Sequence, residues 1–123
     1  MGMDLRVGQE FDVWAAKKGR INWIPMQVGM SQLYVSSDFV YLYFGVLFGG
    51  IKFPVAESQM EITGNPWPRR SVQMRSVAHT ILLSRINASG IKTVAIYPPQ
   101  NLDAVWQALV QAGVQATTPP PSP

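Results

Sequence analysis

The sequence predicts a mainly β domain of the α+β type, in which one helix follows the strands. Seven short segments of strand-like composition, separated by turn residues, lie between Gln32 and Tyr97, and one amphipathic segment comes after them. The predicted strands are Gln32–Val35, Phe39–Phe44, Ile51–Val55, Gln59–Thr63, Ser71–Ser76, Thr80–Ile86 and Ile91–Tyr97. Because short strands with tight turns form a sandwich or a partly closed barrel, we expect a partly open barrel whose open end the helix covers.

Residues 1–30 are predicted to form an N-terminal extension packed on this domain. Phe11, Trp14 and Ala15 lie at helical spacing, and the Lys-Lys-Gly sequence after them is typical of a helix end. We therefore expect a short helix within residues 4–19.

Turn-forming sequences separate the predicted strands. Ser36-Ser37-Asp38 and Asn87-Ala88-Ser89-Gly90 have turn composition, and Gly45–Gly50 contains three glycines. Between these turns, apolar and polar residues alternate, which places Met60 and Ile62 on one face of their strand.

The helical segment ends the predicted domain, which covers residues 31–114. Asn101 is a suitable N-cap and Gly113 a suitable C-terminal stop. We expect Trp106 and Leu109 to anchor the helix in the core. The whole apolar face consists of Leu102, Val105, Trp106, Leu109 and Val110.

Composition narrows the possible classes of protein. Hydrophobic residues make up 47% of the chain and charged residues only 14%, which leaves apolar surface for a partner to cover. The absence of cysteine excludes disulfides and thiolate metal sites. The net charge of +3 is small, so nucleic acid is not an expected partner. Residues 115–123 are rich in proline and are predicted to be a disordered tail.

No targeting or membrane-spanning segment is expected. The most apolar run, Phe39–Ile51, is shorter than the about 20 residues that a spanning helix needs. Residues 1–15 lack the continuous apolar region of a signal peptide, because they contain Asp4, Arg6, Glu10 and Asp12. We therefore predict a cytoplasmic protein.

The strands from Gln32 to Tyr97 and the Pro-Pro-Gln-Asn-Leu-Asp-Ala-Val-Trp-Gln-Ala-Leu sequence after them resemble the pleckstrin-homology (PH) fold. The closer resemblance is to the uncharacterised PH-like proteins of bacteria. It rests on Leu33–Phe44 as a display hairpin, on Ile51–Ile62 as two strands joined by a short acidic bend, and on Val94-Ala95-Ile96 in the final strand. The resemblance implies a PH-like seven-stranded, partly open barrel capped by one C-terminal helix.

The resemblance also implies a binding scaffold rather than an enzyme, since PH-like domains bind phosphoinositides, peptides or protein partners. Lipid-binding members carry basic residues around the first hairpin loop, whereas Ser36-Ser37-Asp38 at this place contains no Lys or Arg. We therefore expect a non-catalytic binding or scaffold domain that self-associates, binds a protein partner or docks on a membrane surface.

Two groups of residues are candidate binding residues. Basic side chains beside an aromatic ring can hold phosphates, and an apolar loop tip calls for a partner that covers it. The basic and aromatic group is Trp67, Arg69, Arg70 and Arg75, and the apolar loop group is Val46, Leu47 and Phe48. Simpler interpretations stay open for both: a solvated loop with Trp67 packed beneath it, and an apolar tip buried within the domain.

Two other functions also stay open. One is a small-molecule or lipid carrier that holds its ligand inside the barrel. The other is a small enzyme that uses His79, the only histidine, although no carboxylate neighbours it in the sequence and no Gly-x-Ser-x-Gly motif is present. No metal site and no cofactor are predicted.

Overall fold

The structure is a computed structural model that describes residues 5–18, 23–25, 31–45, 49–63, 80–97 and 101–119. This part of the chain is mainly β, with one open sheet and a single C-terminal helix. The strands are β1 (Gln9–Lys18), β2 (Trp23–Pro25), β3 (Ser31–Val35), β4 (Phe39–Tyr43), β5 (Gly50–Pro54), β6 (Ser58–Thr63), β7 (Thr80–Asn87), β8 (Gly90–Tyr97) and β9 (Gln115–Ala116), and the helix is α1 (Leu102–Ala112). A single 3-10 turn, Val55–Glu57, joins β5 to β6.

The strand order in the sheet is β5-β4-β3-β1-β8-β7-β6-β9, and β2 pairs with β1 outside this path. All neighbours are antiparallel except β6 and β9. Strand β1 joins two halves of the sheet. Its residues 9–13 pair with β3 in the first half, and its residues 14–17 pair with β8 in the second half.

The expected helix within residues 4–19 is wrong, because Gln9–Lys18 is the strand β1. Phe11 and Ala15 fit both a helical and an alternating pattern, but Val13 between them is fully buried, which gives a period of two over residues 11–15. Pairing on both sides then favours the strand over the local helical pattern. Residues 9–18 are therefore an integral part of the sheet and not an extension packed on it.

The other strand predictions are confirmed to within one residue at each end for β3 to β8. The predicted strand Ser71–Ser76 lies outside the described residues. The turn after β3 is closed by the Ser36 hydroxyl, which donates to the carbonyl of Phe39 at 2.9 Å. In the turn after β7, the Asn87 side chain accepts a bond from the Ser89 amide at 2.8 Å.

The core lies between the inner face of the sheet and α1. Both halves of the sheet contribute to it, and the helix adds Val105, Trp106, Ala108 and Leu109. Among the residues whose burial is described, Trp106 is the largest fully buried side chain, with 1% of its surface exposed. Its neighbours in this cluster from the strands include Val13, Leu33, Val40, Leu42, Phe53, Met60, Ile81, Leu83, Val94 and Ile96. Trp106 and Leu109 are confirmed as buried anchors of the helix.

The ends of α1 follow the prediction only in part. Gly113 ends the helix in the left-handed conformation at φ 106°, which favours glycine. Asn101 occupies the N-cap position, but its side chain makes no capping hydrogen bond. Val110 was expected on the buried face and is instead 43% exposed. The helix spans 11 residues, and the described residues include no helix that is long and apolar enough to cross a membrane.

The prediction of a disordered tail from residue 115 onward is wrong for residues 115–118. Gln115–Ala116 forms β9, which pairs in parallel with β6. The Thr117 amide then donates to the carbonyl of Met60 at 2.8 Å. The edge of β6 offers backbone groups that need partners, and this requirement outweighs the tail-like composition. Residues 120–123 lie outside the described part of the chain.

Replacing Trp106 with alanine is expected to lower the free energy of unfolding by about 3–5 kcal/mol, because a large buried side chain is removed from the core. Urea denaturation followed by circular dichroism measures the change. Val110→Ala on the same helix is the control and is expected to change stability by no more than about 0.5 kcal/mol. Equal stability of the two variants would show that Trp106 does not anchor the helix.

Candidate functional site

The candidate residues from the sequence all lie outside the described part of the chain. This holds for the basic and aromatic group, for the apolar loop group and for His79. The structure therefore leaves their roles as predictions, and the residues concerned are Val46, Leu47, Phe48, Trp67, Arg69, Arg70, Arg75 and His79. The ends of the apolar loop are described, and there the Phe44 amide donates to the Gly49 carbonyl at 2.9 Å.

The described residues place most of the chain's tyrosines together on the outer face of the first half of the sheet. Tyr34 on β3 and Tyr41 on β4 are direct cross-strand partners, and Tyr43 lies two residues further along β4. Inward residues of these strands, such as Leu33 and Leu42, are fully buried, so the tyrosines point away from the core. All three are partly exposed, and we call this surface the tyrosine face.

One row of the tyrosine face runs straight across four strands. The register pairs Glu10 with Tyr34, Tyr34 with Tyr41, and Tyr41 with Lys52. The row therefore has a carboxylate at its β1 end and an ammonium group at its β5 end. With strands about 4.8 Å apart, these two ends are about 14 Å from each other.

Local contacts hold the aromatic rings of the tyrosine face in place. The Tyr34 hydroxyl donates to Oε1 of Glu10 at 2.5 Å, and the rings of Tyr41 and Tyr43 have centroids 6.1 Å apart. Gly50 leaves space for the Tyr41 ring, because a Cβ atom at this position would lie 2.6 Å from a ring carbon. A larger residue at Gly50 would displace the ring.

Two cations lie over aromatic rings on this side of the sheet. The guanidinium carbon of Arg6 is 5.1 Å from the centroid of the Tyr43 ring, and Nζ of Lys52 is 5.0 Å from that of Phe39. Both distances are within the range of cation–π attraction. Together with Glu10 and the exposed Asp12, these residues give the tyrosine face a balanced charge, which does not favour a polyanion such as nucleic acid.

The carboxylate of Glu10 raises the pKa of Tyr34 to about 12. The main cause is the hydrogen bond from the Tyr34 hydroxyl, which exists only while the phenol keeps its proton. Burial and the negative charge of Glu10 act in the same direction, and the charge of Arg6 opposes them. At neutral pH the face therefore presents a neutral, fixed phenol beside a carboxylate.

A second exposed surface is the end of the β7–β8 hairpin. Ile86 and Ile91 face each other across the two strands and are 39% and 71% exposed. One residue further from the tip, Arg85 pairs with Lys92, and together they line a depression of about 190 Å³. The guanidinium of Arg85 donates to the Lys52 carbonyl at 3.4 Å. This end therefore has two exposed isoleucines directly behind the Asn87–Gly90 turn, and two cations one residue pair further back.

The described residues contain no group of three or more His, Asp or Glu side chains that could hold a metal ion. The features that they do present, a tyrosine face and an apolar hairpin end, are features of binding surfaces.

No protein-family model matches the chain, and neither the curated proteins nor the solved structures include a match to it.

The tyrosine face was missed as a site in the sequence, although its signal was present. Leu33–Phe44 was interpreted as a display hairpin, and within it tyrosine occupies positions 34, 41 and 43, which alternate with apolar residues. Alternation predicts that these tyrosines share the face opposite the core. The position of Glu10 and Lys52 at the two ends of one row depends on the register of four strands, which alternation does not provide.

Replacing Glu10 with glutamine is expected to bring the pKa of Tyr34 down from about 12 toward the ordinary value of 10.0, because the carboxylate acceptor is lost. Because the pKa of Tyr34 is higher in the folded state, the protonated phenol stabilises the folded wild-type protein. This stabilisation is complete below pH 10 and is lost as the pH rises through about 12. Ultraviolet difference titration of tyrosinate measures the shift. Glu61→Gln, on β6, is the control, and an unchanged titration in Glu10→Gln would contradict the contact.

Proposed function

We propose that this chain is a non-catalytic binding and scaffold domain with a PH-like barrel, and that it self-associates through the tyrosine face. The observation that carries the proposal is the row Glu10, Tyr34, Tyr41 and Lys52, which is aromatic in the middle and oppositely charged at its two ends.

The strand order supports a PH-like barrel. From β3 to β8, each strand pairs with the next except across the β5 to β6 link, and the last long strand returns to pair with β1. This return brings the two halves of the sheet around one core. The helix α1 follows β8 in the chain and packs on that core. A path that is open between β5 and β6, returns to its first strand and packs a helix on the shared core is compatible with a capped, partly open barrel.

The composition of the tyrosine face supports a protein interface. Tyrosine and arginine are enriched at the centres of interfaces, and tyrosine supplies large contact area at a low cost in conformational entropy. The tyrosine rings are already fixed by Glu10, by Gly50 and by each other. Less ordering is then needed on binding, which favours association.

The charge arrangement supports a second copy of the chain as the partner. In a two-fold symmetric dimer a patch meets its own copy, and a row that crosses the two-fold axis at a right angle runs antiparallel to its copy. Two tyrosine rows stacked in this way place Glu10 of each copy near Lys52 of the other, with the tyrosines between them. A two-fold axis along the row would instead stack the two rows in parallel and bring like charges together, so the charges favour the antiparallel two-fold dimer.

Reversing the charge of Lys52 tests the proposed dimer. Wild-type protein is expected to show concentration-dependent dimerisation in analytical ultracentrifugation. Lys52→Glu is expected to weaken the dimer about tenfold or more, since it creates repulsion with Glu10 of the other copy. Adding Glu10→Lys should restore association, and this rescue must be between copies because the two groups are about 14 Å apart within one chain.

Lys92→Glu provides the matched control, because it reverses an exposed lysine on the second half of the sheet. It is expected to leave dimerisation unchanged. A wild-type protein that stays monomeric over the whole concentration range contradicts self-association, and so does a Lys52→Glu defect that Glu10→Lys does not rescue.

A membrane surface is the second candidate partner, and the β7–β8 hairpin end favours it. Ile86 and Ile91 lie one residue closer to the tip than Arg85 and Lys92. A hairpin that enters a bilayer tip first would bury the isoleucines while its cations stay at the level of the lipid phosphates. Lys92 is exposed, and Arg85 is partly exposed and donates to the Lys52 carbonyl, a neutral acceptor that leaves its charge in place.

Vesicle sedimentation tests the hairpin end. Wild-type protein is expected to bind vesicles that contain phosphatidylglycerol and not vesicles of pure phosphatidylcholine, and added salt should weaken the binding. Ile86→Ser together with Ile91→Ser is expected to reduce the affinity about tenfold or more, because two apolar insertions are lost. Val110→Ser on α1 is the control. Equal binding by the hairpin variant and the control would remove this candidate.

A further inference from the structure

The outer edge of β6 is covered by the chain's own residues 115–118, which we call the C-terminal strap. Gln115 and Ala116 pair in parallel with Gln59 and Met60. Both the amide and the hydroxyl of Thr117 donate to the Met60 carbonyl, at 2.8 and 3.2 Å. The Thr118 hydroxyl accepts a bond from the Ile62 amide at 2.9 Å. The strap thus adds one short strand to the sheet.

The strap is held by polar bonds and not by packing. Val114 is the last residue before it that is anchored, with 4% exposure and an amide bond to Leu109 at 3.0 Å. Within the strap, residues 115–117 are exposed and Thr118 is partly buried. Its side chains do not belong to the apolar core. Removing the strap from the edge therefore leaves the core intact and exposes the backbone groups of β6.

A depression of about 260 Å³ lies beside the strap on the outer face of the second half of the sheet. A molecule of liquid water takes about 30 Å³, so the depression is several water molecules in size. Thr117 lies on its wall, and a longer side chain at this position has room to extend into it. Glu61 is the one charged residue on its wall, and it is exposed. The walls are formed by Gln59, Met60, Glu61, Leu82, Ser84 and Thr117.

We propose that the β6 edge is a peptide-binding site that the strap occupies in cis, and that its partner is an extended peptide with Lys or Arg at the position of Thr117. The strap shows that this edge accepts an extended segment in parallel pairing, which is strand addition with main-chain bonds as its source of affinity. The depression determines which side chain the peptide needs at the position of Thr117. A long basic side chain reaches Glu61 and forms a charge-assisted bond there, which Thr117 is too short to make.

Peptide binding to a full-length variant with a released strap tests this site. Thr117→Pro with Thr118→Val removes the amide donor to Met60 and the hydroxyl acceptor of Ile62. Two labelled peptides are compared by fluorescence anisotropy: Val-Gln-Ala-Thr-Thr-Pro-Pro, which copies residues 114–120, and the same peptide with Lys in place of its first Thr. The released variant is expected to bind the Lys peptide about tenfold more tightly than the copy peptide, and wild-type protein should bind both more weakly.

Two controls separate binding at this edge from binding elsewhere. Glu61→Gln in the released variant should abolish the preference for Lys while the copy peptide still binds. A peptide with Pro in place of its first Thr cannot donate to Met60 and should not bind. Hydrogen exchange of the Ile62 amide should be faster in the released variant and slower again when the Lys peptide is added.

A second variant tests the site without a separate peptide. Thr117→Lys in the full chain is expected to slow hydrogen exchange of the Ile62 amide and to raise the midpoint of thermal unfolding, and both effects should vanish when Glu61→Gln is added. A folded released variant that binds neither peptide would overturn the proposal and leave the strap a purely structural cover. Equal affinity for both peptides, together with no effect of Thr117→Lys, would also overturn it.

Discussion

The pairing of β1 on both of its sides is the constraint on which the rest of the structure depends. Residues 9–13 bond to β3 and residues 14–17 bond to β8, so one strand joins two halves of the sheet that would otherwise be separate hairpin sets. Val13 and Ala15 then face the same core as Trp106. Because β8 is brought back to β1, both halves of the sheet share one core, and the helix that follows β8 packs on it. The position of the helix is thus a consequence of strand pairing, and its apolar face then stabilises the contact between the two halves of the sheet.

The same pairing creates the tyrosine face. A strand has a period of two, so every core residue of β3 and β4 is followed by one that points away from the core. Three of the outward positions carry tyrosine, and the register aligns Tyr34 and Tyr41 between Glu10 and Lys52. Glu10 belongs to β1, which makes the acidic end of the row depend on the strand that also holds the fold together. Fold and candidate interface therefore share one element.

Strands β3 to β8 could be predicted from the sequence because alternation and turn residues are local signals, as Met60 with Ile62 and the Ser36 turn show. Strand β1 could not, since Phe11, Trp14 and Ala15 fit a helix equally well and partners distant in sequence decide the conformation. The prediction for the strap was wrong for the same reason. Its composition is that of a tail, and only the neighbouring edge of β6 gives it an extended, bonded structure. The row Glu10, Tyr34, Tyr41 and Lys52 could not be predicted, because its residues come from four strands and are aligned only by the register between those strands.

The two edges of the described sheet are protected in different ways, and the difference bears on function. At β5, Lys52 and Pro54 discourage pairing with another strand, because a charge and a missing amide donor both disfavour it. At β6, the edge residues Gln59, Met60 and Glu61 include no proline and no lysine, and the chain covers this edge with its own strap. The two forms of protection differ in their consequences. Lys52 and Pro54 belong to β5 itself, whereas the strap can leave β6 and expose backbone groups that are able to pair again. Strand addition is therefore disfavoured at β5, whereas at β6 the position of an added strand is occupied by the strap, which makes β6 the edge where we expect a competing peptide to bind.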